Sequence, residues 1–529
     1  MTTENAINPK SMKKALTIAT VIMMGSVLLS RIIGLVREQV IATLCGTSME
    51  IDAYVTAFFI PELLNHFLAS GFLSITFIPI FQRYLHANDR EGAWRSFSNL
   101  ISLGTVAFAV VIPLSIVFTP AVLHLLGPNI TNAQTLPLTV KMTRIILPAQ
   151  LFMYWGAFFS AVQMAQHRFT LPALAPLLYN AGIILGGLLL KPLIGVEGFA
   201  WGVLFGAFAG NVVLQQIGAR RIGMRFSFRL DWTHHDVREF IILTLPLVIG
   251  VGMTFSNEIF FRFFSSFLGE GDTASINYAL RTMGAVVAVF GQASGVAFFP
   301  FLSRLAIEKK YREISVLLNK AITKIATYCI PLSALFFIIA PQIIAVLYEH
   351  GRFTAASTAR TAPIFALYMI GAFAFSVAVF VVRPFFAIQK MYLPMVVSST
   401  IALLSLPVYY FASKWWGTKG VALSAITGMS AQFIVLYGLW VKRYGERAST
   451  LALLKTGVKI LVVAAAASVG GWIVRQEVLA LQLGWGKTVD AFTVGAITAL
   501  PFTAIVIILY HLTGVQKARE LLSFFNRKR

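Results

Sequence analysis

Apolar runs of about 20 residues recur along nearly the whole chain, and each can cross a bilayer core as a helix. Polar and mostly basic connections separate them. Fourteen spans are expected, over residues 15–44, 53–81, 97–118, 142–166, 172–190, 198–217, 240–267, 277–302, 314–347, 362–388, 394–411, 421–441, 453–473 and 491–511. No polar stretch between them is long enough to fold as a separate soluble domain. The pattern predicts an all-α integral membrane protein.

Composition agrees. Of the residues, 57% are hydrophobic and 12% charged, with a mean hydropathy of +0.78; a soluble domain carries about 25% charged residues. The formal net charge of +22 would suggest nucleic acid in a soluble protein, but its placement points elsewhere. One set of loops holds Arg83, Arg90 and Arg95, then Arg168, then Arg220, Arg221, Arg225, Arg229 and Arg238. It continues with Arg304, Lys309, Lys310 and Arg312, with Lys442, Arg443 and Arg447, and with the basic, amphipathic tail ending at Arg529. Opposite loops hold far fewer. The positive-inside rule then puts both termini in the cytoplasm, which requires an even number of spans and matches fourteen. Topology accounts for the charge, so no nucleic-acid partner is expected. Cys45 and Cys329 are too few and too far apart for a disulfide framework or a Cys-based metal site. Lys13 and Lys14 precede an apolar run as in a signal peptide, but that run carries Arg31 and Arg37 and no clear cleavage site. A retained helix is expected.

The two halves repeat. Ala165–Pro172 (AQHRFTLP) aligns with Ala387–Pro394 (AIQKMYLP) at an offset of 222 residues, and Gly195, Gly198 and Ala200 align with Gly417, Gly420 and Ala422 at the same offset. Pro79 and Arg83 align with Pro300 and Arg304, and Pro120 with Pro341, at 221. Each repeat holds six expected spans, so both begin on the same side and are parallel repeats. Transporters built from such repeats bind substrate near the midplane where the repeats meet. The expected organisation is an N-lobe over 1–230, a C-lobe over 231–450, and an appended helix pair with the basic tail over 451–529.

A charge at the bilayer centre costs about 2.5–3.5 kcal/mol on insertion scales, so such residues tend to line cavities and carry function. The first span contains Ser30, Arg31, Arg37 and Glu38 around Gly34. Arg31 and Arg37 lie about 120° apart around a helix. Asp52 and Glu62 flank the start of the second span, followed by Asn65 and His66. In the second half, Glu258 and Arg262 stand at i, i+4, a spacing that also suits a purely local ion pair, and Arg281 lies in the eighth span. Arg360 and Arg383 bracket the tenth and can snorkel to the interface. Several arginines with few carboxylates favour an anionic ligand, because the planar guanidinium fork suits phosphate oxygens and stays charged. An inside-negative potential helps move an anion outward, by about 2.3 kcal/mol per charge per 100 mV. There is no GxxxxGK[ST] loop for nucleotide, no HExxH, no Cys/His cluster and no GxSxG. A transporter rather than an enzyme is expected, with no cofactor, no metal and no ATP.

Ser30–Glu38 (SRIIGLVRE), Asp52–Tyr54, Ile60–Leu64 (IPELL), Phe77–Pro79, Asn277–Arg281 (NYALR) and Leu347–Thr354 (LYEHGRFT) together resemble the MurJ/MviN family over about the whole chain. The resemblance implies the MOP exporter fold in a bacterial inner membrane. It also implies outward movement of lipid II, the undecaprenyl-pyrophosphate peptidoglycan precursor, driven by the membrane potential or a monovalent cation, and proximity to cell-wall synthesis proteins. By matching position it assigns substrate binding to Arg31, Arg37 and Arg281, with Arg37 and Arg281 on the pyrophosphate, and gating or arginine organisation to Asp52. Ser30, Glu38, Asn65, His66, Glu258 and Arg262 are candidate cavity-lining residues. The chain departs from the family pattern at Asn65-His66, where an arginine pair is common, at Ser70 and Leu280, which replace acidic residues, and at Phe261, which counts against a sodium site built on an aspartate there. Other readings are a flippase for another polyprenyl-linked glycan, whose pyrophosphate would use the same arginines, a MATE-type drug antiporter, or a membrane scaffold.

Overall fold

The computed structural model describes residues 9–66, 72–250, 252–288, 290, 298, 301–302, 304–481 and 484–515. Ser70 and the tail from residue 516 lie outside the described residues. Everything regular among the described residues is helical. The chain divides into two compact units. The first holds the described residues of Met1–Ile41, Ala53–Leu126 and Ile130–Ile249; the second holds those of Ala42–Asp52, Gly127–Asn129 and Gly250–Arg529.

The helices of the first half are α1 (Pro9–Cys45), α2 (Met49–Ala57), α3 (Phe59–Leu64), α4 (Phe72–His86), α5 (Arg90–Leu123), α6 (Pro128–Thr131), α7 (Thr135–Ile146) and α8 (Ala149–Ala165). α9 (Thr170–Ile194), α10 (Glu197–Ala207), a π-helical turn over Phe208–Leu214, α11 (Gln215–Arg221) and α12 (His235–Gly250) follow. The core of this unit is aromatic: Phe77, Phe81, Trp94, Phe97, Tyr154 and Phe158 pack together from α4, α5 and α8. α9 and α10 meet through glycines. A Cβ on Gly182 would fall 2.4 Å from Gly206 Cα, and one on Gly186 would fall 2.5 Å from Gly202 Cα. Small residues at four-residue spacing let helix backbones touch in hydrocarbon, where packing replaces the hydrophobic effect as the adhesive.

The second half contributes α13 (Gly252–Ser265), α14 (Asp272–Val287), α15 (Tyr311–Ile338), α16 (Ala340–Tyr348), α17 (Ala355–Ala387), α18 (Tyr392–Tyr444), α19 (Arg447–Ala480) and α20 (Lys487–Thr513). At 53 residues α18 is too long for one crossing, and Gly417 (φ 55°, ψ −131°) divides it into the expected eleventh and twelfth spans. The terminal pair α19–α20 packs on α15 and α16 through Ile338, Ile460, Val463, Ala467, Phe502 and Val506. Tyr510 donates to the Thr327 carbonyl at 2.8 Å, and Arg475 Nε to Gln342 Oε1 at 3.2 Å.

Among the described residues, nine helical stretches are long and apolar enough to cross a membrane. The expected second, seventh and eighth spans include residues outside the described set. Leu189, Leu193, Leu403, Leu404 and Leu500 are each at least 65% exposed on these helices, a surface suited to lipid and not to water.

Candidate functional site

Three groups of polar side chains sit at or within the apolar helices. In the first unit, Arg37 bonds Glu38 through Nη2 and donates from Nη1 to Asn180 Oδ1 on α9 at 3.0 Å. Asn180 in turn donates to the Pro176 carbonyl at 2.9 Å. Glu38 is buried and Arg37 nearly so. Farther up the same two helices, Ser26 donates to the Ala173 carbonyl. Arg31 is exposed and Ser30 half-buried, so the first span's two arginines lie on different faces, as the 120° estimate requires. Asn65 is half-buried and His66 buried just past the end of α3.

The second group surrounds Asp52, which is fully buried. Its Oδ2 accepts from Gly271 N at 2.6 Å and Asn129 Nδ2 at 3.0 Å, and its Oδ1 accepts from Ala274 N at 2.7 Å. The carboxylate thus caps the N-terminus of α14, where unsatisfied N–H groups and the helix dipole favour an anion. Gly271 takes φ +79°, and a Cβ there would lie 2.4 Å from Thr47 O. The turn at Gly46 and the Gly351 turn interlock beside it. Arg352 N donates to Thr43 O at 2.9 Å, Tyr278 OH to Gly46 O at 3.0 Å, and a Cβ on Gly351 would lie 2.3 Å from Thr43 O. The rings of Tyr278, Tyr348 and Phe353 pack in tilted and edge-to-face contacts with centroids 5.2–5.8 Å apart. The NYALR and LYEHGRF segments therefore build one knot.

The third group lies farther along α14 in the second unit. Glu258 of α13 faces Arg281 of α14 through two contacts, Oε1–Nη1 at 3.4 Å and Oε2–Nη2 at 3.3 Å. Arg262 approaches the same carboxylate at 3.6 Å, while its Nη1 donates to the Glu258 carbonyl at 2.8 Å and its guanidinium covers the Phe261 ring at 4.8 Å. Arg262 is buried; Arg281 and Glu258 are about one-third exposed, at 33% and 30%. Glu258 is thus more than the local i, i+4 partner of Arg262. Two guanidiniums share this carboxylate, which leaves the group cationic and suited to an anion. The contacts to Arg281 are longer than the 2.7–2.9 Å typical of charge-assisted hydrogen bonds.

Asp52 of α2 and Arg281 both bear on α14, but Asp52 touches its first turn and not the arginine. Asn129, Asn180 and Gly271 were not singled out from sequence. A lone asparagine in the apolar run of α9 was a readable signal, as was glycine immediately before the helix at Asp272. Arg360 donates to the Glu270 carbonyl at 2.6 Å, and Arg383 is half-buried. Among the described residues, His235, Asp236 and Glu239 come nearest to a metal-ligand set. Their carboxylates are engaged by Arg83, at 3.4 Å from Asp236 and 2.6 Å from Glu239, and by the Tyr84 hydroxyl, at 2.9 Å from Asp236. Burial, and then the Asp236 carboxylate, push the Tyr84 phenol up to about 12. It stays a hydrogen-bond donor at neutral pH.

Residues 41–494 match the family model described as "Lipid II flippase MurJ". A probable lipid II flippase of Bdellovibrio bacteriovorus is 26% identical over 93% of this chain and 94% of its own length. The lipid II flippase of Burkholderia cenocepacia is 27% identical over 78% and 81%. The solved structure of a lipid II flippase in an inward closed conformation superposes with a TM-score of 0.76 at 20% identity, covering 93% of this chain and 99% of that one. An inward-facing MATE transporter of the MOP superfamily superposes at 0.65 with 14% identity, covering 82% and 99%. The shared architecture is therefore that of the MOP exporters, and the match over most of its length makes this multi-pass membrane protein a member of the MurJ lipid II flippase family.

Proposed function

We propose that this protein moves lipid II from the cytoplasmic to the outer leaflet of the bacterial inner membrane by alternating access. The observation that carries the reading is the Glu258–Arg262–Arg281 group, in which one carboxylate serves two arginines and Arg281 keeps a third of its side chain exposed. A pyrophosphate replaces the loose contact with shorter, charge-assisted bonds. Arg37 in the first unit and Arg281 in the second each engage the pyrophosphate during the cycle, with Arg31 as a further cationic contact. Asp52 acts by holding α14 in place. Both termini lie in the cytoplasm, where the basic loops belong. The membrane potential drives the anion outward, with a monovalent cation as the other candidate coupling. Cell-wall synthesis proteins are candidate neighbours. A drug antiporter for organic cations would need an excess of carboxylates, the reverse of this group.

The test is depletion of the protein in its own cells, followed by measurement of lipid II exposed on the outer leaflet. Wild type should restore exposure, and Arg37→Ala and Arg281→Ala, at equal membrane levels, should not. Unchanged exposure on depletion, in cells without a second flippase, would transfer the assignment to another polyprenyl-linked glycan.

A further inference from the structure

The connection between α11 and α12 forms neither helix nor strand, and four of its even-numbered residues are large, apolar and exposed. Phe226, Phe228, Leu230 and Trp232 are 54%, 63%, 46% and 63% exposed. The odd-numbered residues tie the backbone to α5. Ser227 N donates to Ser98 Oγ at 3.1 Å, Arg229 N to Ser102 Oγ at 3.3 Å, and Asp231 N to Asn99 Oδ1 at 2.8 Å. Asn99 Nδ2 returns a bond to the Asp231 carbonyl at 2.8 Å. The backbone N–H groups of every second residue thus bond α5, while the four large apolar side chains stay exposed.

We infer that this strap is an interfacial anchor, docking its Phe226–Trp232 face into the anionic phospholipid headgroup layer beside the start of α5. Its level on α5 sets the depth. The bonded residues Ser98, Asn99 and Ser102 lie about 12–18 Å along the helix from Arg90, at 1.5 Å per residue. They follow closely on Arg95, the last charged residue of α5. Among the described residues no acceptor meets the N–H groups of Phe226, Phe228 and Leu230, so they need water or headgroup oxygens and the strap cannot sink into hydrocarbon. Aromatic side chains, Trp above all, favour that boundary. Charge fixes the lipid class. Arg220, Arg221, Arg225, Arg229 and Arg238 are exposed around the strap, and each basic residue near an anionic surface is worth about 1 kcal/mol. The nearby carboxylates Asp236 and Glu239 are occupied by Arg83. The anchor is independent of the substrate proposed above.

The test places nitroxide probes on Phe226→Cys, Phe228→Cys and Trp232→Cys proteins in nanodiscs of phosphatidylcholine with and without phosphatidylglycerol. Native Cys45 and Cys329 are buried, and mock-labelled wild type corrects for them. Ala87→Cys serves as the water reference and Leu189→Cys as the lipid reference. Oxygen-to-nickel accessibility at the strap should fall between the references and shift toward lipid when phosphatidylglycerol is present. Arg225→Gln/Arg229→Gln should remove that shift. Probes that match Ala87→Cys in both mixtures would overturn the anchor. So would probes that are water-like in nanodiscs yet shielded in native membranes, an outcome that assigns the face to a protein partner.

Discussion

Two stretches of α14 are held in opposite ways. Around its first turn, the Asp52 carboxylate makes three hydrogen bonds of 2.6–3.0 Å in full burial, and two glycine turns close over it at distances no side chain would permit. Two and a half turns later, Arg281 faces Glu258 at 3.3–3.4 Å with a third of its side chain exposed. The first arrangement is satisfied and rigid. In the second, the contacts between Arg281 and Glu258 are longer than typical charge-assisted bonds. A helix anchored at one end can present an arginine to an anion without itself moving. On the proposed function, the knot serves stability and the arginine group transport, and substitutions can separate the two.

The largest effect on folding is expected from Asp52→Ala. It strands two helix N–H groups and the Asn129 amide in a buried site, at about 1–3 kcal/mol per unsatisfied group. A net loss of about 2–4 kcal/mol should appear in thermal unfolding of the purified protein. Cys45 and Cys329, both buried, report unfolding through their reaction with a thiol-activated dye. Asp52→Asn keeps one acceptor and should recover part of the loss. A melting curve unchanged by Asp52→Ala would remove the anchor.

Gly351→Ala should come next, because it combines a φ of +57° with a Cβ 2.3 Å from the Thr43 carbonyl. A strained backbone position costs about 1–3 kcal/mol. Gly514→Ala offers a control, since its φ is +67° but nothing lies within 4 Å of the added carbon. The difference between the two melting shifts isolates the steric contribution from the interlocked turns.

Arg281→Ala should leave folding nearly intact. Its ion pair is partly exposed and long, and such pairs contribute about 0–1 kcal/mol. Lipid II exposure in depleted cells should nevertheless fall at least about tenfold, the loss of roughly 1.4 kcal/mol of interaction in the transported state. If Arg281→Ala instead unfolds the protein as readily as Asp52→Ala does, the division of labour along α14 is wrong.

The all-helical membrane fold was legible because lipid imposes length and apolarity on every crossing. Arg37, Arg281 and Glu258 stood out as charges inside apolar runs, and the i, i+4 spacing of Glu258 and Arg262 suggested a pair. What spacing could not reveal was that Glu258 also faces Arg281, because that contact depends on how α13 and α14 cross. The role of Asp52 was hidden for the same reason. A carboxylate at the start of one helix gives no sign that it caps another more than 200 residues away, and only Gly271, with its positive φ, marked the receiving end.

Glu258→Gln sharpens the comparison with the smallest expected effect on folding. The amide keeps an acceptor for Arg281, and Arg262 keeps the Glu258 carbonyl and the Phe261 ring, so the melting curve should shift by no more than about 1 kcal/mol. Anion binding distinguishes two roles for the carboxylate. If pyrophosphate displaces Glu258 from Arg281, removing the negative charge removes a competitor, and inorganic pyrophosphate should bind several-fold tighter to the purified variant. If Glu258 only holds Arg281 in position, binding should weaken, because a neutral amide orients a guanidinium less firmly than a carboxylate does. The long contacts to Arg281 favour displacement, and tighter binding is the expected result. A salt titration adds an independent check: pyrophosphate binding should lose affinity with ionic strength more steeply in the variant, whose group carries one more net positive charge.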